Sequence, residues 1–438
     1  MKAHLAISAL CLSVCLVAAA SAQAPPKTAS PEEVLRNITV VGDDGSGNNL
    51  PPLPKIGVLP SLSSDRADVV MHAVVRRDLD LCGEFEVIPD KNAPDGLYLE
   101  TSPVDIDAWK NKGAEAVVKV NGKTLPDGKV ELTGIAYLTD VGDKPVYNTT
   151  IVVGKGDTRF ASHRITDALV GALTGTDSAF YSQMAFIYGV GKQKRVYIID
   201  ADGHDPKPVS SDGKATPRTP VFAPDHTLYF PLSVRRRPYA LYSNRATKPV
   251  GVKPNGSVYG LAYNRKGDEI AVSIGQGPDI RLFRGPDFQN LKVASKNKLA
   301  MFPAWSPTGK LAFAGESKWG PRIYVDDKAV SPAGLPATAP SFCRHPDGIR
   351  LIYMGGWREK FDLISTTPQG SNTVRITGGR GKNQYPACSP DGRLVAFFSS
   401  RKTGEGPGLY IMRVDGRRPK KVSSLLGSHL TWARMPKK

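Results

Sequence analysis

The sequence lacks most of what would mark a membrane protein, a disulfide scaffold or a hydrolase. After Ala20 no apolar run is long enough to cross a bilayer. Cysteine is scarce, with five in 438 residues, and Cys11 and Cys15 both fall inside the first apolar run. The other three, Cys82, Cys343 and Cys388, are odd in number and widely spaced, without any CxxC pair. That pattern reads as neither a disulfide framework nor a clustered metal site. No GxSxG, HExxH or GxxxxGK[ST] motif occurs, and the seven histidines are dispersed. His163 and His345 are therefore expected to be structural. Asp200-Ala201-Asp202-Gly203-His204-Asp205 is acidic enough to suggest a calcium loop but lacks the glutamate and spacing of one, and reads as a hairpin turn. No catalytic residue, metal ligand or cofactor is assigned.

Residues 1–22 are organised as an export signal. Lys2 and His4 precede an apolar run from Leu5 to Ala20, and Ala20-Ser21-Ala22 places small residues at a cleavage site. Val14 before Cys15 is too bulky for the usual lipidation motif, and the apolar run continues past it. The mature chain is expected outside the cytoplasm. Its charge balance, 58 basic against 41 acidic residues, gives a formal +17 and favours anionic partners. Export argues against nucleic acid. The densest basic runs, Arg235-Arg236-Arg237 and Arg417-Arg418-Pro419-Lys420-Lys421, follow strand patterns and are expected as solvated hairpin tips.

Residues 23–54 are rich in Pro, Gly, Asn and Asp and read as a mobile arm. Within it Asn37-Ile38-Thr39-Val40-Val41 has strand character and can add to a partner's sheet edge. Residues 55–176 read as an α/β domain. A buried strand, Ile56-Gly57-Val58-Leu59, precedes a helix capped by Asp65, with Val69, Val70, Ala73, Val74 and Leu81 as its apolar side. A strand at Phe85–Ile88 and a short helix at Ile106–Lys112 follow. Three β-rich runs come next, the first two joined by an Asp127-Gly128 turn, and then a helix from Phe160 to Leu173.

From residue 177 the chain repeats itself. Pro220-Val221-Phe222-Ala223-Pro224-Asp225 recurs as Phe302-Pro303-Ala304-Trp305-Ser306-Pro307 and as Tyr385-Pro386-Ala387-Cys388-Ser389-Pro390-Asp391-Gly392. Looser copies are Phe342-Cys343-Arg344-His345-Pro346-Asp347-Gly348 and Tyr259-Gly260-Leu261-Ala262-Tyr263. The spacing of about 40 residues is that of a propeller blade. Three further strands follow each copy. Four strands that cannot cover their own faces need neighbours stacked around an axis. Residues 185–209 supply three strands with no first strand ahead of them, and Leu430-Thr431-Trp432-Ala433 is a first strand with nothing after it. Five complete blades and one shared by both ends give a six-bladed propeller over residues 177–438, closed by the C-terminal strand. Cys343 and Cys388 fall on first strands of neighbouring blades, one residue out of step, and are expected as buried free thiols. Trp305 and Trp432 are expected between blades.

These residues resemble the TolB family, the periplasmic component of the Tol–Pal envelope system. The propeller repeats are shared with other propellers. The front domain carries more specific likeness in Ile56-Gly57-Val58-Leu59-Pro60, the Asp78-Leu79 to Phe85 junction, Trp109 through Ala114-Glu115-Ala116-Val117-Val118, and Leu173-Thr174-Gly175. The resemblance implies an anticodon-binding-like front domain and a propeller that binds the peptidoglycan-associated lipoprotein, Pal. It also implies an arm that binds TolA, here Arg36, Ile38 and Val40, although a Pro-containing extension, Gln23 to Leu35, precedes that segment. Loops leading into the innermost strands carry Lys214 and Arg218, Lys253 and Asn255, Lys296 and Lys298, Lys382 and Asn383, and His429. In a propeller they converge on one channel mouth, and the resemblance makes that ring the expected docking face for an acidic surface. The rival reading is an enzyme or small-ligand protein acting in the channel, and converging carboxylates or histidines there would mark it.

Overall fold

In the computed structural model, residues 29–42, 52–96, 98–99, 101–210, 215–345 and 347–435 are described. The stretch expected as an export signal, the glycine-rich stretch at 43–51 and Lys214 lie outside them. Among the described residues no helix is long and apolar enough to cross a membrane.

A short helix, α1 (Pro31–Asn37), comes first. The α/β domain follows as β1 (Lys55–Val58), α2 (Arg66–Leu81), β2 (Glu86–Val87), α3 (Ile106–Asn111), β3 (Ala116–Thr124), β4 (Val130–Leu138), β5 (Tyr147–Val153) and α4 (Thr158–Thr174). The sheet order is β2-β1-β3-β4-β5, with β1 parallel to both neighbours and the rest antiparallel. Asp65 caps α2 by accepting from the Ala67 N–H, as its position before the apolar period predicts. The buried side of α2 matches the expected one in part: Val74 and Leu81 are buried with Ala67, Met71, Val75 and Leu79, whereas Val69 is 56% exposed, Ala73 is exposed and Val70 is half-buried. Asp68 and Asp78 are buried on that same side, which a polar-out reading of the period does not anticipate. On the opposite face of the sheet Trp109 packs with Leu59, Ile88 and Val117.

Among the described residues the propeller has six sheets, five of four strands and one of five. Blade 1 pairs the C-terminal strand Ser428–Arg434 with Ser182–Tyr188, followed by Arg195–Asp200 and Lys207–Pro208, so both chain ends share it. Blades 2 to 6 have innermost strands at Val221–Phe222, Ser257–Tyr263, Ala300–Trp305, Ala337–His345 and Asn383–Cys388. In blade 2 a further piece, Ala215–Pro217, joins the same second strand. In blade 5 the repeat sits higher than expected. Ala339-Pro340 lines the channel beside Phe302-Pro303 and Tyr385-Pro386, and the strand runs on to His345.

That offset overturns the expectation for the cysteines. Cys343 and Cys388 form a disulfide, with Cα atoms 5.3 Å apart. Innermost strands of neighbouring blades converge on the axis without a shared hydrogen-bond register, so a one-residue offset does not separate them beyond bonding range.

The arm is also corrected. α1 is capped by Ser30, whose side chain accepts from the Glu33 N–H while the Glu33 carboxylate accepts from the Ser30 N–H, and Pro31 occupies the first turn. Leu35 and Ile38 are buried in the core shared by blades 4 and 5. Val40 then pairs in parallel with Arg375 on the outer strand of blade 5. The Val41 N–H donates to the Arg375 carbonyl and the Arg375 N–H to the Thr39 carbonyl, each at 2.8 Å. Residues 30–41 are thus a docked element, not a free arm.

Candidate protein-binding face

In each blade the innermost strand runs from its lead-in loop to the opposite end of the channel, so all lead-in loops and all second-to-third-strand hairpins share one end. The α/β domain occupies the other end, on blades 1 and 6. Arg413 donates to the Gly83 carbonyl at 2.6 Å and lies 3.5 Å from Glu84, and Arg418 donates to the Phe85 carbonyl at 3.1 Å. Lys420 pairs with Asp80, and Arg159 of α4 holds Asp200 and Asp202 of the blade 1 hairpin. Gly83 has φ +73°, and a Cβ there would come within 2.8 Å of the Arg413 side chain, so this close approach needs glycine. The run at 417–421, expected as a solvated tip, is therefore part of the domain interface. Arg235 and Arg236 do form the hairpin between the strands 228–234 and 240–243. Asp200–Asp205 is the expected hairpin.

The lead-in end is left open by the α/β domain. Lys253, Asn255, Lys296 and Lys298 are exposed there, and among the described residues their side chains meet no carboxylate. The loop at 296–298 is held from beneath: Asn297 accepts from the Leu299 and Glu316 N–H groups, and Asp327 accepts from the Lys296 N–H at 3.2 Å. The other expected residues behave differently. Lys382 is partly exposed and paired with Glu359. Asn383 is fully buried and donates to Asp362 at 3.0 Å, so it supports the fold and cannot touch a partner. Asparagine at a strand start gives no sequence signal for that; the partner that decides it, Asp362, is distant in sequence. Of the arm residues, Arg36 is exposed, Ile38 is buried and Val40 has its backbone edge occupied.

Arg218 and His429 build the channel mouth. The Arg218 guanidinium sits 4.8 Å from the Tyr239 ring centroid and 5.2 Å from that of Tyr259, a stacking that fixes the charge at the rim. His429 stacks between Tyr385, at 4.8 Å, and Phe302, at 5.8 Å. Burial, then the positive charges of Arg218 and Lys194, push its pKa down to about 4, so it is neutral in ordinary buffers. Phe302, Ala339, Tyr385 and His429 all adopt positive φ, near +50 to +56°, where the register against the second strand shifts. These repeated bulges turn one residue per blade toward the axis. The cavity behind them is about 280 Å³ and is lined by Pro303, Pro340, Pro386, Trp305, Trp432 and their neighbours. Among the described residues its lining holds no carboxylate.

The family model described as the TolB amino-terminal domain matches residues 50–144. The TolB resemblance holds. A Tol-Pal system protein TolB of Thiobacillus denitrificans is 28% identical over 228 residues, 52% of this chain and 48% of that protein. Another, of Polaromonas naphthalenivorans, is 25% identical over 202 residues, 45% of each. The matches thus span about half the length of these curated relatives. The crystal structure of TolB from Acinetobacter baumannii superposes with a TM-score of 0.68 at 19% identity, covering 87% of this chain and 97% of that one. At that identity the likeness is one of fold, and it extends over the TolB-type domain and the propeller together.

Proposed function

We propose that the chain is a non-catalytic periplasmic adaptor of the Tol–Pal system. The open propeller end binds Pal, the arm segment around Arg36–Val40 binds TolA, and the protein supports outer-membrane integrity and division. The observation that carries this reading is the asymmetry of the propeller. One end carries a TolB-type domain on blades 1 and 6, and the other presents exposed lysines around a mouth lined by aromatic rings and a neutral histidine. Such a face suits an acidic protein surface, with charge setting orientation and on-rate. A channel that acted on a small molecule would need converging ionisable groups, whereas this lining is proline, aromatic and a histidine kept neutral. TolA binding by strand addition requires the segment 39–41 to leave Arg375, since one strand edge serves one partner.

Calorimetric titration of the mature protein with soluble Pal tests the reading. Binding weakened about tenfold or more by Lys253→Glu with Lys296→Glu and Lys298→Glu is the expected result. Lys382→Glu adds little, because Glu359 already neutralises that lysine. No binding to a folded Pal overturns the adaptor role.

A further inference from the structure

The interface between the α/β domain and blade 1 encloses a cluster that the adaptor role does not use. His163 on α4 and Asp78 on α2 are both 0% exposed, and His163 Nδ1 lies 2.7 Å from Asp78 Oδ2. Asp202, on the hairpin of blade 1, is 7% exposed, and its carboxylate comes within 4.8 Å of both. Two side-chain atoms inside the cluster residues, His163 Nε2 and Asp78 Oδ1, have no hydrogen-bond partner. The charged neighbours come from every element packed there. α4 contributes Arg159, which pairs with Asp200 at 3.3 Å and with Asp202, and also Asp167. The propeller contributes Asp200 and Asp202, and Gln183 donates to Asp200 at 3.3 Å. Asp167 is tied up by the Phe180 and Tyr181 N–H groups and the Ser178 hydroxyl at the start of the propeller.

The charge count decides what this cluster needs. Asp78, Asp167, Asp200 and Asp202 carry four negative charges against one on Arg159, and all four carboxylates are buried while Arg159 is 24% exposed. One proton held between His163 and Asp78 lowers that imbalance by one charge at its most buried point. It also gives the buried imidazole a charge facing the Asp202 carboxylate across the domain boundary. We propose that Asp78, His163 and Asp202 form a proton-operated latch, in which one buried proton keeps the α/β domain docked on the propeller and its loss loosens the joint.

Electrostatics support the sign. Burial raises the Asp78 pKa, and for His163 the neighbouring carboxylates outweigh the opposing effect of burial, so it is raised too. Both shifts make the folded chain hold the shared proton more tightly than free side chains do, and the Asp202 carboxylate is the part of that pull that docking on the propeller supplies. The latch therefore stabilises the joint below about pH 6.5, the ordinary histidine value, and is lost as pH rises through the elevated folded value. The same triad is a poor cation site as it stands. Arg159 already occupies the Asp202 carboxylate, so an ion would have to displace that guanidinium.

Amide hydrogen exchange on the full-length mature chain reads the joint directly, once intrinsic exchange rates are corrected for pH. Protection of amides at 197–205 and 158–167 is expected to fall about tenfold between pH 6 and pH 8.5, while protection in blades 3 and 4 stays level. Asp202→Asn, on the propeller side, is expected to flatten that fall without disturbing the core of either domain. His163→Gln is expected to flatten it from a lower starting protection. An unchanged fall in Asp202→Asn, or protection in the natural chain that ignores pH, overturns the proposal. So does a zinc-dependent gain in protection at pH 8.5 that EDTA reverses, because the site would then hold a metal rather than a proton.

Discussion

The two ends of the propeller use the same residue types in opposite ways. At the covered end arginine and lysine are spent on partners within the chain: Arg393 and Arg413 face Glu84, Arg418 reaches Phe85, and Lys420 meets Asp80. At the open end Lys253, Lys296 and Lys298 project without a carboxylate among the described residues. Net charge alone does not distinguish a docked basic residue from a docking one. The difference comes from what the chain places opposite, and the sequence order of the blades decides which end that is. The covered end also carries the covalent link, because Cys343 and Cys388 lie late on their innermost strands. The open end has aromatic stacking instead.

Removing the covalent link should produce the largest change. A cross-link spanning 45 residues restricts the unfolded chain by about 4 kcal/mol in the loop-entropy description. Urea unfolding of Cys343→Ser with Cys388→Ser should show a loss approaching that value, and a reducing agent should reproduce it in the natural chain alone. A loss under about 1 kcal/mol would mean that the propeller ring, already closed through blade 1, restricts the chain enough by itself.

The next effect separates the ends by pH. His429 has its pKa lowered to about 4 from an ordinary 6.5, so the unfolded chain takes up the proton first. Its contribution is complete above pH 6.5 and is lost as pH falls toward 4, about 3 kcal/mol in all. The covered-end pair behaves in the reverse sense. Unfolding midpoints measured from pH 4 to 9 should therefore fall on both sides, and His429→Phe should flatten the acid limb alone. An acid limb unchanged in that variant would assign it to the carboxylates instead.

Much of this architecture is legible in the sequence, and the unread part has a common cause. Blade repeats, their number and the closing strand follow from local patterns such as Tyr385-Pro386-Ala387 and Leu430-Thr431-Trp432. So do Asp65 as a helix cap and the order of strands in the α/β domain. The helix at 31–37 was also readable, since Ser30, Pro31 and Glu33 form a capping box with proline in the first turn, but its surroundings look like a linker. What could not be read depends on pairs that meet only after folding. Arg418 finds Phe85 across 333 residues, and Asn383 is buried because Asp362 waits beneath it. Ile38 is lost to a partner because it packs into the core shared by blades 4 and 5.

A smaller effect sharpens the contrast among the basic residues themselves. Arg413→Ala would leave the Gly83 carbonyl without its donor and Glu84 with Arg393 alone at a partly buried joint, for an expected loss of about 2 kcal/mol in unfolding. Comparable melting of Arg413→Ala and the natural chain would show that the joint relaxes or fills with water.

Lys296→Ala with Lys298→Ala should do the least to stability, within about 0.5 kcal/mol, because both side chains are solvated and the loop is held by Asn297 and Asp327. Their effect belongs to association. Removing exposed charges from a docking face lowers the on-rate and its dependence on salt while leaving the off-rate nearly unchanged. Stopped-flow binding to soluble Pal at two ionic strengths should therefore show a slower, less salt-sensitive on-rate in the variant. A change confined to the off-rate would mean that these lysines are desolvated in the complex, and the open end would then be a tighter interface than its solvated rim suggests.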